Sequence, residues 1–270
     1  MIRSLLAVLL TAGACKPGAP PPPAAAAPVP AARVAPSAPV KPAEHLKVKV
    51  LASVRHDTAA YTQGLVWSDG MLYESAGQYG QSSLRQVDPK TGRALRSVPV
   101  PRQYFAEGLA LVGDQLIQLT WREGTAFVYD LATFGKRNEL PYSGEGWGLC
   151  WDGRRLVMSD GSDRLTFRDP ATFAATGGVN VTLDGQPVQN LNELECVDGA
   201  VYANVWQTEK ILRIDPETGR ATAVIDASGL LSFKESIGAE VLNGIAYKPE
   251  TKTFLITGKD WPKMFEVVFE

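Results

Sequence analysis

Five stretches of this sequence fall into phase: GLVWSDGMLYES (64–75), GLALVGDQLIQL (108–119), GLCWDGRRLVMS (148–159), ELECVDGAVYANV (193–205) and GIAYKPETKTFLIT (244–257). Each starts on a small residue or Glu, runs through an apolar stretch, breaks at a polar turn and resumes as a second apolar stretch. Short β-strands around a tight turn fit that pattern. A third stretch follows in four copies and ends near an Asp: LRQVDPKTG (84–92), FVYDLATF (127–134), LTFRDPATF (165–173) and ILRIDPETG (211–219). Asp-Pro with a following Thr-Gly is turn chemistry. A fourth stretch, such as ALRSVPV (94–100) or ATAVIDA (221–227), leads to the next unit. The starts lie about 45 residues apart, which is room for four strands, so the sequence predicts an all-β, five-bladed β-propeller. A β-sandwich would not explain five copies in phase.

Working outward, the fifth copy runs out at MFEVVFE (264–270), one strand short. Before the first copy, KVKVLASVR (47–55) is an alternating strand without a partner. The two are expected to pair, closing the ring through the N- and C-terminal strands. Further upstream, residues 16–45 hold ten of the nineteen prolines, mostly among alanines. Such a stretch cannot bury a core and is expected to form an extended tether. Residues 1–15 combine Arg3, the apolar run Leu5 to Leu10 and the small residues Ala12-Gly13-Ala14, the pattern of a signal segment. The run is too short for a stable bilayer-spanning helix. Cys15 follows directly, as in a bacterial lipoprotein signal, with Ala12 where Leu is usual three residues earlier. Lipidation at Cys15, which would anchor the protein to a membrane, and ordinary cleavage nearby both stay open. The expected organisation is a signal over 1–15, a tether over 16–45 and one domain over 46–270, exported to the cell envelope or secreted.

The formal net charge is −2 and the charges are well mixed, without the basic stripe that nucleic-acid binding needs. Only two histidines exist, His45 and His56, both ahead of the first copy. A zinc hydrolase of ordinary design needs histidines near its core, so that class is disfavoured. Cys150 and Cys196 fall early in the first strands of adjacent copies; they either pair or serve separately as small buried residues.

In a propeller the first strand lines the channel and the second runs antiparallel beside it. The residue before the first strand and the residue after the second therefore share a rim. The first set is Gln63, Glu107, Trp147, Asn192 and Asn243; the second is Gly77, Trp121, Gly161, Trp206 and Lys259. Strand interiors agree between copies, whereas these two rings differ. Taken singly, each Trp is as readily a core residue, Glu107 a solvated loop residue and Lys259 a surface charge. Together they place a carboxylate, an ammonium, amides and indoles around one opening, the make-up of a small-molecule or peptide-end pocket.

Several strings carry a family likeness: YTQGL (61–65), LYESAGQYGQSSLR (72–85), FAEGL (105–109), LTW (119–121), EGWGL (145–149), LNELE (191–195), YANVW (202–206), LNGIA (242–246) and TGKDWP (257–262). In this order they resemble the plant-type glutaminyl cyclases, a family with bacterial members, over essentially all of residues 50–270. The resemblance implies a five-bladed propeller that converts N-terminal Gln of peptides or proteins into pyroglutamate and releases ammonia. It places the catalytic glutamate on Glu107, the site asparagine on Asn192 and the site lysine on Lys259. Pocket residues fall on Gln63, Tyr61, Phe105, Trp121, Trp147 and Trp206. Tyr61 stands where Phe is usual, and Ala106 replaces a commoner Gly.

Cyclisation needs no hydride, phosphate or redox partner, so no organic cofactor is implied. A structural divalent cation stays compatible with the sequence. Glu107 is the candidate proton shuttle, Asn192 and Lys259 the candidates for holding the amide carbonyl, and Gln63 for the substrate backbone. Indole walls would raise the pKa of Glu107 and Lys259 would oppose that; the sequence does not decide between them. The chain is expected to act as a monomer on peptide ends, without nucleic acid. Two rivals are a calcium-dependent lactonase of the gluconolactonase type, using Glu107, Asn192 and Asn243, and a non-catalytic peptide-binding module. Three indoles and a lysine suit a hard cation poorly, and a proton-transfer carboxylate is superfluous in a binding module.

Overall fold

A computed structural model describes residues 41–270, and every regular element among them is a strand. The signal over 1–15, Cys15 and most of the tether lie outside the described residues. The first four-stranded sheet is β2 (Thr62–Ser68), β3 (Met71–Ala76), β4 (Ser83–Val87) and β5 (Ala94–Pro99). The second is β6 (Ala106–Val112), β7 (Gln115–Thr120), β8 (Thr125–Asp130) and β9 (Lys136–Pro141). The third is β10 (Leu149–Trp151), β11 (Leu156–Met158), β12 (Arg164–Arg168) and β13 (Ala175–Asn180). Within each sheet, sequence neighbours pair antiparallel.

The fourth and fifth copies share one eight-stranded sheet. Its members are β16 (Leu191–Val197), β17 (Ala200–Val205), β18 (Lys210–Ile214), β19 (Ala221–Asp226), β20 (Leu242–Lys248), β21 (Thr253–Gly258), β22 (Lys263–Phe269) and β1 (Glu44–Arg55). β1 joins them. Its first residues, Glu44 to Lys47, run parallel to β19, and Val48 to Arg55 run antiparallel to β22. The expected pairing of the two chain ends is therefore present, with a second attachment the sequence did not suggest. β1 begins at Glu44, ahead of the expected domain start at 46, because the parallel pairing with β19 starts at Glu44 and Ala223; Arg213 binds the Glu44 carboxylate at 2.9 Å. A small hairpin, β14 (Thr182–Leu183) with β15 (Gln186–Pro187), separates the third and fourth copies.

The innermost strands neighbour one another in the order β2, β6, β10, β16, β20, and β20 returns to β2. The arrangement is propeller-like. Small residues make it possible: a Cβ on Gly64 would stand 2.6 Å from the Leu109 nitrogen, and one on Gly108 2.5 Å from the Leu149 nitrogen. The core lies between facing sheets, as where Leu84, Leu109, Leu116 and Phe127 pack together. Cys150 on β10 and Cys196 on β16 form a disulfide with Cα atoms 5.5 Å apart.

The turns between third and fourth strands repeat one device. Asp88, Asp130, Asp169 and Asp215 each accept a hydrogen bond from a Thr hydroxyl three residues on, at 2.7 to 2.9 Å. The next residue has positive φ, and in two copies it is Gly92 or Gly219. In the other two it is Phe134 (φ 55°) and Phe173 (φ 61°), whose rings are buried. Burial of an aromatic ring offsets the backbone cost there.

The seam between the chain ends carries a buried charge network. His56, just after β1, contacts Glu74 Oε1 through Nε2 at 2.9 Å and the Trp261 carbonyl through Nδ1 at 2.9 Å. Thr62 donates to the same Glu74 oxygen at 2.8 Å, Arg85 stands 3.6 Å from the other, and Arg85 also binds Asp57 at 2.6 Å. Burial opposes ionisation of Glu74, but His56, Arg85 and Thr62 outweigh it and hold the carboxyl below its ordinary value.

Candidate active site

Four of the five innermost strands slip in register at the same place. The slips lie between Thr62 and Gly64, Ala106 and Leu109, Leu191 and Leu194, and Leu242 and Ile245. A β-bulge bends its strand and re-aims the side chain it carries. The bulges hold Gln63, Glu107, Asn192 and Asn243; Trp147 has the equivalent place just before β10. Neighbouring copies fix these bulges. Ser75 donates to the Glu107 carbonyl, Ser159 to the Asn192 carbonyl at 2.6 Å, and the Asn204 side chain accepts from Gly244 N at 2.9 Å.

Above the bulges lies a cavity of about 240 Å³ lined by Tyr61, Gln63, Gln78, Phe105, Glu107, Trp121, Trp147, Asn192, Trp206 and Lys259. All nine residues singled out from the sequence meet there. Asn243, placed on the same rim by the repeat, does not line it. Its Nδ2 donates to the Thr62 carbonyl at 2.9 Å and to Gln63 Oε1 at 3.1 Å, which ties it behind Gln63. That removes one of the three oxygen donors a calcium-dependent lactonase would need, and leaves the pocket with a cation of its own in Lys259. Gly77 and Gly161 contribute by having no side chain: a Cβ there would stand 2.4 Å from the Phe105 ring or 2.6 Å from the Trp147 ring.

Glu107 is 5% exposed and accepts one hydrogen bond, from Gln63 Nε2 at 2.9 Å. Asn243 occupies Gln63 Oε1, so the Gln63 amide points its N–H at the carboxyl. Burial pushes Glu107 well above the usual carboxylate range; Lys259 pulls it back, and Glu145 and Glu123 add to the rise. The competition left open by the sequence is thus won by desolvation. Burial lowers Lys259 in turn, against the attraction of Glu107, Glu240 and Asp260. Its Nζ sits 4.8 Å from the Tyr61 ring centroid. Asn192 Oδ1 is buried and has no hydrogen-bond partner among the described residues. Such an atom at a pocket wall is costly unless a ligand meets it.

The aromatic walls brace one another. Trp147 meets Trp206 edge-on with centroids 5.6 Å apart, and Phe105 meets Trp121, Tyr61 and Tyr79 at 5.8, 6.1 and 5.3 Å. A carboxyl enclosed this way can take up and return a proton, while the ammonium can hold a neighbouring carbonyl and the orphaned Asn192 oxygen can accept from an N–H.

A family model described as glutamine cyclotransferase matches residues 24–269. The chain belongs to the glutamine cyclotransferase family. A glutaminyl-peptide cyclotransferase of Arabidopsis thaliana is 40% identical over 227 residues, covering 82% of this chain and 71% of that protein. The crystal structure of Myxococcus xanthus glutaminyl cyclase superposes with a TM-score of 0.77 at 41% identity, covering 85% of this chain and 99% of that chain.

In this glutamine cyclotransferase family member, sequence reasoning missed four residues at the pocket. Gln78 lines it with φ 104°, an uncommon value for a residue other than Gly. Glu123, Glu145 and Glu240 stand at its edge, binding Tyr79, the two indoles of Trp121 and Trp147, and Tyr61 respectively. Glu145 opens the string EGWGL, so its position was in view without its partner being known.

Proposed function

We propose that this protein is a glutaminyl-peptide cyclotransferase, built on a five-bladed propeller, that closes N-terminal Gln residues of peptides or proteins to pyroglutamate. The observation that carries this reading is Glu107: a buried carboxyl held above its normal pKa, at the floor of a pocket walled by aromatics, in a chain of this family. The α-amine nitrogen of the substrate attacks its own side-chain amide carbon. Glu107 takes a proton from that nitrogen and returns one to the departing amide nitrogen, which leaves as ammonia. One new C–N bond forms and one breaks, and the carboxyl ends as it began.

Lys259 and the Nδ2–H of Asn192 donate to the amide oxygen and the charge growing on it, while Asn192 Oδ1 is left to accept from a substrate N–H. Gln63 keeps Glu107 oriented and is placed to meet the substrate backbone. Tyr61, Phe105, Trp121, Trp147 and Trp206 pack around the flat side chain in its near-attack fold and keep out the water that would hydrolyse it. The reaction calls on no organic cofactor and proceeds in a monomer. The protein is exported through its N-terminal segment, by lipidation at Cys15 or by ordinary cleavage nearby. The test is an assay with a Gln-initiated fluorogenic peptide, with and without a chelator. Pyroglutamate and ammonia in equal amounts, undiminished by chelator, support the proposal; no cyclisation by the folded protein overturns it.

A further inference from the structure

One carboxylate outside the pocket binds two of its walls. Glu145 Oε2 accepts the Trp121 indole N–H at 2.8 Å and the Trp147 indole N–H at 3.0 Å. Its other oxygen takes the Arg122 Nε at 2.9 Å, and the Arg122 guanidinium lies 3.7 Å from the Trp121 ring centroid. Trp121 follows β7 and Trp147 precedes β10, so this carboxylate joins two adjacent copies of the repeat. An indole has a single N–H donor. Both indoles spend theirs on Glu145.

We propose that Glu145 is a positioning residue, fixing where Trp121 and Trp147 stand and thereby the shape of the slot that receives the substrate side chain. The inference rests on the cyclotransferase reading for its activity readout alone. An exposed Arg122–Glu145 ion pair would by itself be worth little. The two indole donations distinguish it, since they are charge-assisted and leave each ring only a rotation about its own bonds. The effect spreads along the wall, because Trp147 rests against Trp206 and Trp121 against Phe105.

The same charge also reaches Glu107. The charged groups facing Glu107 are Lys259, Glu145 and Glu123, and the ring hydroxyls that feel it belong to Tyr61, Tyr79 and Tyr142. Removing the Glu145 charge therefore lowers the pKa of Glu107, since one repulsion disappears.

The experiment compares Glu145→Leu, which accepts no hydrogen bond, with Glu145→Gln, which keeps an acceptor oxygen but no charge. Indole N–H resonances are followed in ¹⁵N-labelled protein, with Trp121→Phe and Trp147→Phe used to assign the two in question. Glu145→Leu is expected to displace those two and leave the other indoles in place. Its kcat/KM on a Gln-initiated peptide should fall about 10- to 100-fold, mainly through KM, the scale of charged hydrogen bonds. Glu145→Gln should lie between, and its acid limb of kcat/KM should move to lower pH, which a loss of folded protein would not produce. If Glu145→Leu does not fold, the indole and pH measurements on Glu145→Gln decide alone. Unmoved indoles with wild-type kcat/KM in Glu145→Leu, or both unmoved indoles and an unmoved acid limb in Glu145→Gln, overturn the inference. Glu107→Gln is assayed alongside: if it stays active the cyclotransferase mechanism fails, whatever Glu145 does.

Discussion

Glu74 and Glu107 sit in adjacent copies of the repeat and are almost equally buried, at 1% and 5% exposure. Their chemistry diverges. Glu74 has His56, Thr62 and Arg85 around it and is held below the ordinary carboxylate value; Glu107 has one amide donor and is pushed above it. Desolvation is the leading influence on both, so burial does not separate a structural carboxylate from a reactive one. The count and charge of close partners does. The seam spends its carboxylate on holding the chain ends together, whereas the pocket leaves its carboxylate short of partners and ready for a substrate.

The comparison breaks most directly if the two carboxylates are exchanged for amides. Glu107→Gln should keep its melting temperature and lose about 10²–10⁴ in kcat, the range for general acid–base catalysis. Glu74→Gln should do the reverse. Breaking a buried pair costs about 3–5 kcal/mol, read by urea unfolding, while the folded fraction turns over near the wild-type rate. Equal effects of the two substitutions on kcat would show that the distinction is empty. Lys259→Ala and Asn192→Ala sharpen the pocket side: both should lower kcat more than they raise KM, because their contacts strengthen as charge develops on the amide oxygen. Steady-state kinetics on Gln-peptides checks this.

A third region serves as the control. The Cys150–Cys196 bridge ties β10 to β16 with a sequence separation of 46. Reducing it should cost about 2–4 kcal/mol of stability and leave the pH profile of kcat/KM where it was. The smallest effect concerns pH and the seam. Burial works against the protonated His56, but Glu74 and the Trp261 carbonyl prevail and raise it above 6.5. A raised histidine contributes stability fully below its unfolded value and loses it as pH rises through the folded one. Glu74, lowered from 4.5, contributes above that value and loses it as pH falls through its folded one. Melting temperature should therefore decline as pH climbs past about 6.5, and His56→Gln should flatten that decline. If Glu107 is the base proposed above, activity should move the other way on the acid side, rising as its raised carboxyl loses its proton.

The repeats were legible because the strand interiors need the same apolar alternation in every copy, and the five inner strands start within two residues of the expected positions. Seven of the nine pocket residues were legible for the opposite reason, as the places where aligned copies disagree; Tyr61 and Phe105 came through the family resemblance alone. Three things were not. The double attachment of β1 is a backbone pairing of Glu44 to Lys47 with Ala223 to Asp226, far along the chain, which no local pattern announces. Asn243 shares the alignment and even the bulge of Asn192, but a contact with Gln63 turns it away. Glu145 was in view only as the first residue of EGWGL, and its partners are indoles from two different copies.

The attachment of β1 to β22 also orders events during synthesis. Tyr61 and Gln63 leave the ribosome some two hundred residues before Lys259, and β22 (Lys263–Phe269) is the strand that pairs with β1. A nascent chain thus carries its glutamate long before it carries a working constellation. A chain stopped before Lys259 lacks both the ammonium that lines the pocket and the strand that pairs with β1. Closure of the fold waits for β22.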